Sequence, residues 1–140
     1  MLERILVAYD CSESGTKTFI FGVELAQKYG AELHVISVAR LPEPPDMVET
    51  ERIVEEATEH FQSCFKELEQ LAAGWGVQPQ FAIRVGHPAE QIIHRAAELS
   101  ADAIVIGHRG HSLSFVERWL VGSVAKRVLT YAHCTVIVVR

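Results

Sequence analysis

Residues 103–110, Ala103-Ile104-Val105-Ile106-Gly107-His108-Arg109-Gly110, and the Gly122-Ser123 pair beyond them decide how this chain folds. Four apolar residues closed by a glycine read as a strand buried on both faces, and Gly122-Ser123 opens a helical pattern. Glycines between a strand and a helix let the backbone approach a ligand, and a helix start offers unpaired N–H groups to an anion. The pattern is therefore that of a phosphate site. The chain's other end supplies its counterpart, Ile5-Leu6-Val7-Ala8-Tyr9-Asp10-Cys11-Ser12, an apolar run that ends in an acidic turn.

Comparable runs lie at 5–9, 33–39, 81–85, 103–106 and 135–139, with helical periodicity between them. From Gly15 to Tyr29, Phe19, Val23 and Ala26 share a face, and Gly30 supplies a stop. The longest helix carries Ile53, Ala57, Phe61, Cys64, Phe65, Leu68, Leu71 and Trp75 at steps of mostly three and four, and breaks at Gly74 to Gly76. Gly86-His87-Pro88 signals a third helix with Ile92, Ile93, Ala96 and Leu99 inward, and a fourth runs from Gly122 to Tyr131. Such alternation specifies an α/β fold with a mainly parallel sheet and helices on both faces. In an open sheet of that kind, ligands sit beyond the carboxyl ends of the strands where the strand order reverses. Asp10 and Gly107 face each other there if the first and fourth strands flank the reversal.

With 140 residues and 49% hydrophobic content, the chain reads as one domain spanning 1–140. Thirteen basic residues against eighteen acidic ones give a formal charge of −5, which argues against nucleic acid and anionic membrane as partners. No apolar run approaches the roughly 20 residues that cross a bilayer, and Met1-Leu2-Glu3-Arg4 does not open a signal peptide, so a cytoplasmic location is expected.

The three cysteines, Cys11, Cys64 and Cys134, read as reduced thiols. A Cys11–Cys134 bridge would span opposite ends of strands, on the order of 20 Å apart. For Cys11, a small packing residue competes with a redox thiol activated beside a helix start, and Cys64 belongs to an apolar stripe. The seven histidines show no metal-ligand spacing, and no structural zinc is expected. His34 reads as a core or interface residue. Asp10 reads as a ligand contact or as a turn and cap residue, and the glycines as phosphate contacts or ordinary turn chemistry. His108, Arg109 and His111 form the basic cluster beside the glycine loop. There is no Gly-x4-Gly-Lys-Ser/Thr loop and no general base at a diagnostic spacing.

Taken together, several stretches resemble the universal stress protein family over nearly the whole length. They are Ile5 to Ser12, Leu33-His34-Val35, Gly86-x-Pro-Ala-Glu-x-Ile92, Ala101-Asp102-x-Ile-Val-Ile-Gly107, and Gly122-Ser123-Val124 followed by Cys134-Thr-Val-Ile-Val-Val139. The resemblance implies a five-stranded Rossmann-like sheet of order 3-2-1-4-5 and a homodimer formed through the last strand. It also implies an adenine nucleotide held by a Gly-x2-Gly-x9-Gly-Ser/Thr motif, so the expected cofactor is ATP or another adenine nucleotide, with or without Mg2+. Carried over by position, Asp10 and Val35 would line the adenine and ribose end. Gly107, Gly110, Gly122 and Ser123, flanked by Arg109 and Val124, would hold the ribose and phosphates. Here eleven residues, His111 to Val121, separate Gly110 from Gly122, two more than the family pattern, and Cys11 stands where the family's turn has glycine.

The leading expectation is an adenine-nucleotide-binding (ATP, ADP or AMP) stress-response or regulatory protein working through a nucleotide-dependent dimer and a protein partner. The alternatives are a nucleotide-free dimeric interaction module and a slow ATP phosphohydrolase, with a non-enzymatic role favoured. The prolines of Leu41-Pro42-Glu43-Pro44-Pro45-Asp46 lead us to expect that Arg40 to about Thr50 forms a non-helical flap over the crevice.

Overall fold

A chain whose apolar runs alternate with amphipathic stretches buries each run only if helices cover both faces of the sheet, and that is what the computed structural model has. It describes residues 1–41, 47–108 and 122–140. The elements follow in the order β1 (Arg4–Ala8), α1 (Glu13–Tyr29), β2 (Glu32–Ala39), α2 (Met47–Ala73), β3 (Gln80–Val85), α3 (Pro88–Leu99), β4 (Ala103–Gly107), α4 (Ser123–Tyr131) and β5 (Thr135–Val139). The strands form one sheet of order β3-β2-β1-β4-β5, with every neighbouring pair parallel.

Strand β1 shows why the apolar runs are continuous. Ile5 and Val7 enter the core beneath α1 and α2, while Leu6 enters a second core beneath α3 and α4. Phe19, Val23 and Phe65 fill the first layer, and Ile36, Ile92, Ile104 and Val128 the second. Among the described residues no helix is long and apolar enough to cross a membrane.

Local chemistry sets the helix ends. Ser12 caps α1, its side chain accepting the Gly15 N–H at 2.9 Å. Gly30 closes the same helix at φ +65, a left-handed conformation that glycine adopts without a Cβ penalty. Pro88 stands in the first turn of α3, as expected.

Two expectations need correction. Leu71 and Trp75 are exposed, and Ala72 takes the buried position, because the 3.6-residue turn carries the stripe Phe61, Phe65, Leu68, Ala72 away from Leu71. Met47 to Thr50 are helical, so α2 begins inside the segment expected to form a flap. The prolines that were to prevent a helix all precede Met47 and leave its backbone free to start one. Pro42 to Asp46 lie outside the described residues, as do Arg109, Gly110 and the span from His111 to Val121.

Candidate functional site

Because β1 leads to α1 on one face and β4 leads to α4 on the other, the two connections diverge above the sheet and open a crevice. A cavity of about 430 Å³ occupies it. Asp10, Gly107, Gly122, Ser123 and Val124 all lie on its wall, so residues more than a hundred positions apart meet at one site.

At the β1 end, the turn is built around Asp10. Its Oδ1 accepts the Ser12 N–H at 3.1 Å and the Ser12 hydroxyl at 2.5 Å. Ser12 thus links the carboxylate to the cap of α1. Gly15 provides the room, since a Cβ there would stand 2.6 Å from Asp10 Oδ1 and 3.2 Å from the Tyr9 ring. Cys11, between them, holds φ +66, a left-handed conformation that costs a side-chain-bearing residue roughly 1–2 kcal/mol. Burial and the neighbouring Cys64 push the Cys11 thiol well above its ordinary range, which contradicts the activated redox thiol. The helix start does not outweigh the loss of solvent.

Tyr9 was not foreseen as a site residue. It is buried and lies on the cavity wall, its ring packs beside that of Phe65, its N–H donates to Ile36 O at 2.9 Å, and its carbonyl accepts the Ser37 hydroxyl at 2.7 Å. Burial also raises its phenol, which stays protonated.

At the β4 end, the His108 N–H donates to Val139 O at 2.7 Å, and the His108 carbonyl accepts the Gly122 N–H at 2.9 Å. The first intrahelical bond of α4 then runs from Lys126 N to Gly122 O at 2.9 Å. The donors that an anion would meet are therefore the N–H groups of Ser123, Val124 and Ala125, while that of Gly122 is engaged. Gly122 has φ −61 and ψ 155, values open to any residue, so what glycine contributes there is a wall without a side chain. His108 is buried on that wall rather than solvated.

Val35 does not reach the cavity. It is 1% exposed and packs in the core beneath α1 and α2. Side chains alternate along a strand, so Ile36 and Val38 supply the β2 wall instead. Phe61 and Arg40 complete it, and the alternation within 33–39 was the signal available for choosing among them. Arg109 and Gly110 lie outside the described residues. His34 is buried as expected, with Nε2 3.4 Å from Glu32.

Comparison with known proteins settles the ancestry of this arrangement. The universal stress protein family model matches residues 1–140. The chain belongs to the universal stress protein family. A universal stress protein of Methanocaldococcus jannaschii is 32% identical over 143 residues, covering 100% of this chain and 83% of that one. The structure of universal stress protein UspA from Lactobacillus plantarum superposes with a TM-score of 0.88 at 26% identity, covering 99% of this chain and 98% of that one. The universal stress protein of Archaeoglobus fulgidus, solved in complex with dAMP, has the same fold, with a TM-score of 0.74, 23% identity and full coverage of both chains.

Proposed function

We propose that this protein binds an adenine nucleotide in the crevice between β1 and β4, and that it acts as a stress-response or regulatory protein through a homodimer whose state follows the nucleotide. One observation carries the reading: a single cavity is bounded at one end by the Asp10 carboxylate and at the other by the first turn of α4. About 430 Å³ lies within the range of small-ligand sites. Ile36, Val38 and Phe61 offer apolar walls to a base, Asp10 offers an acceptor to ribose hydroxyls, and the first-turn N–H groups offer donors to phosphate. Arg40 adds a cation on the same wall. The dAMP complex of the Archaeoglobus fulgidus protein supports adenine as the base.

Titration calorimetry with AMP, and with ATP in the presence and absence of Mg2+, tests the proposal. The wild type is expected to bind AMP and ATP alike through the adenosine end. Asp10→Ala is expected to weaken both by about tenfold or more, the scale of a hydrogen bond to a charged group. Gly122→Val, which puts a branched side chain on the cavity wall, is expected to weaken both as well. A wild-type protein that binds neither nucleotide overturns the reading and favours a nucleotide-free dimeric interaction module. Phosphate release from ATP would identify a slow hydrolase.

A further inference from the structure

The spacing His60-x3-Cys64 puts an imidazole and a thiol on one face of α2, since residues four apart on a helix are neighbours. The β1–α1 turn brings Cys11 to the same point. One ligand atom of each of Cys11, His60 and Cys64 lies within 4.8 Å of the others. Spacing among the histidines alone does not reveal this group, because it pairs a histidine with a cysteine and takes its third member from far off in the sequence.

We propose that Cys11, His60 and Cys64 form a site for a thiophilic d10 cation, Zn2+ in the first instance, which ties the β1–α1 turn to α2. Metal–sulfur and metal–nitrogen bonds of about 2.3 and 2.0 Å put tetrahedral ligand atoms roughly 3.5–3.8 Å apart, so a separation of at most 4.8 Å closes onto a cation by side-chain adjustment. Two thiols and one imidazole suit zinc and exclude Mg2+ and Ca2+, which take oxygen ligands. On binding, both thiols lose their protons to solvent, the imidazole ligates as the neutral base, and water fills the fourth position.

Two further features converge on the same point. Tyr9 packs in one cluster with both cysteines and interacts electrostatically with each, a placement suited to the outer support that thiolate ligands receive in metal sites. Cys11 occupies a left-handed position that glycine would hold without strain, and a strained side chain persists where the surroundings or a function hold it. The site lies one residue from Asp10 and one from Phe61 on the cavity wall, yet it requires no nucleotide.

The test uses the full chain, reduced and free of any tag, with no nucleotide present. Zn2+ is titrated in competition with a chromophoric chelator, and Co2+ replaces it for spectroscopy. The expected result is one equivalent bound, with thiolate-to-cobalt charge transfer and intense tetrahedral d–d bands. Cys11→Gly suits the φ +66 backbone, and His60→Ala changes an exposed residue, so both variants are expected to fold. Each is expected to lose zinc affinity by more than about a hundredfold, beyond the loss caused by removing an outer-sphere partner alone. Absence of stoichiometric zinc binding overturns the proposal. So does affinity unchanged in both variants, or a cobalt complex without the thiolate band. A Cys11–Cys64 disulfide that forms in air, from a reduced protein that takes no zinc, would identify a redox pair instead and equally overturn it.

Discussion

Asp102 shows how much a single half-buried side chain can organise. Its Oδ2 accepts the Glu3 N–H at 2.7 Å and the Arg4 N–H at 2.9 Å, while its own N–H donates to Arg4 O at 2.8 Å. The carboxylate thus clasps the entry of β1 to the entry of β4. These backbone hydrogen bonds, from Arg4 and from Glu3, hold its carboxyl below the usual carboxylate range. A group whose native value is depressed contributes stability above its unfolded value, near pH 4, and loses it as pH falls through the native value. Asp102→Asn is therefore expected to be less stable than the wild type at neutral pH, with the difference shrinking below about pH 4. Urea unfolding of both proteins across that range checks the sign. A constant difference down to pH 2 would show that the charge is not the cause.

At the scale of elements, the approach of α1 to the sheet depends on Gly22. A Cβ at this position would stand 2.5 Å from Val7 Cγ2, and Val7 is itself fully buried, with little room to yield. Helix propensity favours alanine over glycine by about 1 kcal/mol, but overpacking a core costs typically 1–3 kcal/mol. Gly22→Ala is accordingly expected to destabilise the fold by about 1–2 kcal/mol, despite the gain in propensity, as read by chemical denaturation. Stabilisation would mean that α1 shifts outward at no cost. Sequence reading found this helix from Phe19, Val23 and Ala26 and its stop from Gly30, because periodicity and capping are local. The close approach at Gly22 was not legible, because it depends on which strand lies underneath.

For the whole molecule, the decisive feature is that β5 lies at an edge of the sheet. Among the described residues no strand pairs with its outer side, and such an edge is an association hazard unless it is covered. The proposed homodimer pairs two copies of β5, antiparallel as an isologous two-fold requires. Val139 O accepts from His108 of the neighbouring connection, so the Val139 backbone faces inward, and alternation turns the Val138 N–H outward. Val138→Pro removes that outward donor and leaves the β4 ladder intact. Sedimentation of this variant is expected to show monomer where the wild type shows dimer, with the circular dichroism spectrum retained. A wild-type monomer at micromolar concentration overturns the dimer.

What the sequence determined by itself was everything carried by local pattern. Apolar runs bounded by glycine marked strands buried on both faces, and stripes at steps of three and four marked the covering helices. The turn residues Asp10 and Gly107 then marked the carboxyl end of the sheet, where both line the cavity. Tertiary structure decided what depends on orientation and on distant partners. It set Ile36 and Val38 on the wall and Val35 in the core, because adjacent residues of a strand face opposite sides. It placed Tyr9 on the wall of the crevice and engaged the Gly122 N–H with His108. It also brought Cys11 to His60 and Cys64 across about fifty residues of chain, a meeting that follows from packing α2 over the β1–α1 turn. No local spacing encodes that contact, since it exists only once two separate elements share one core.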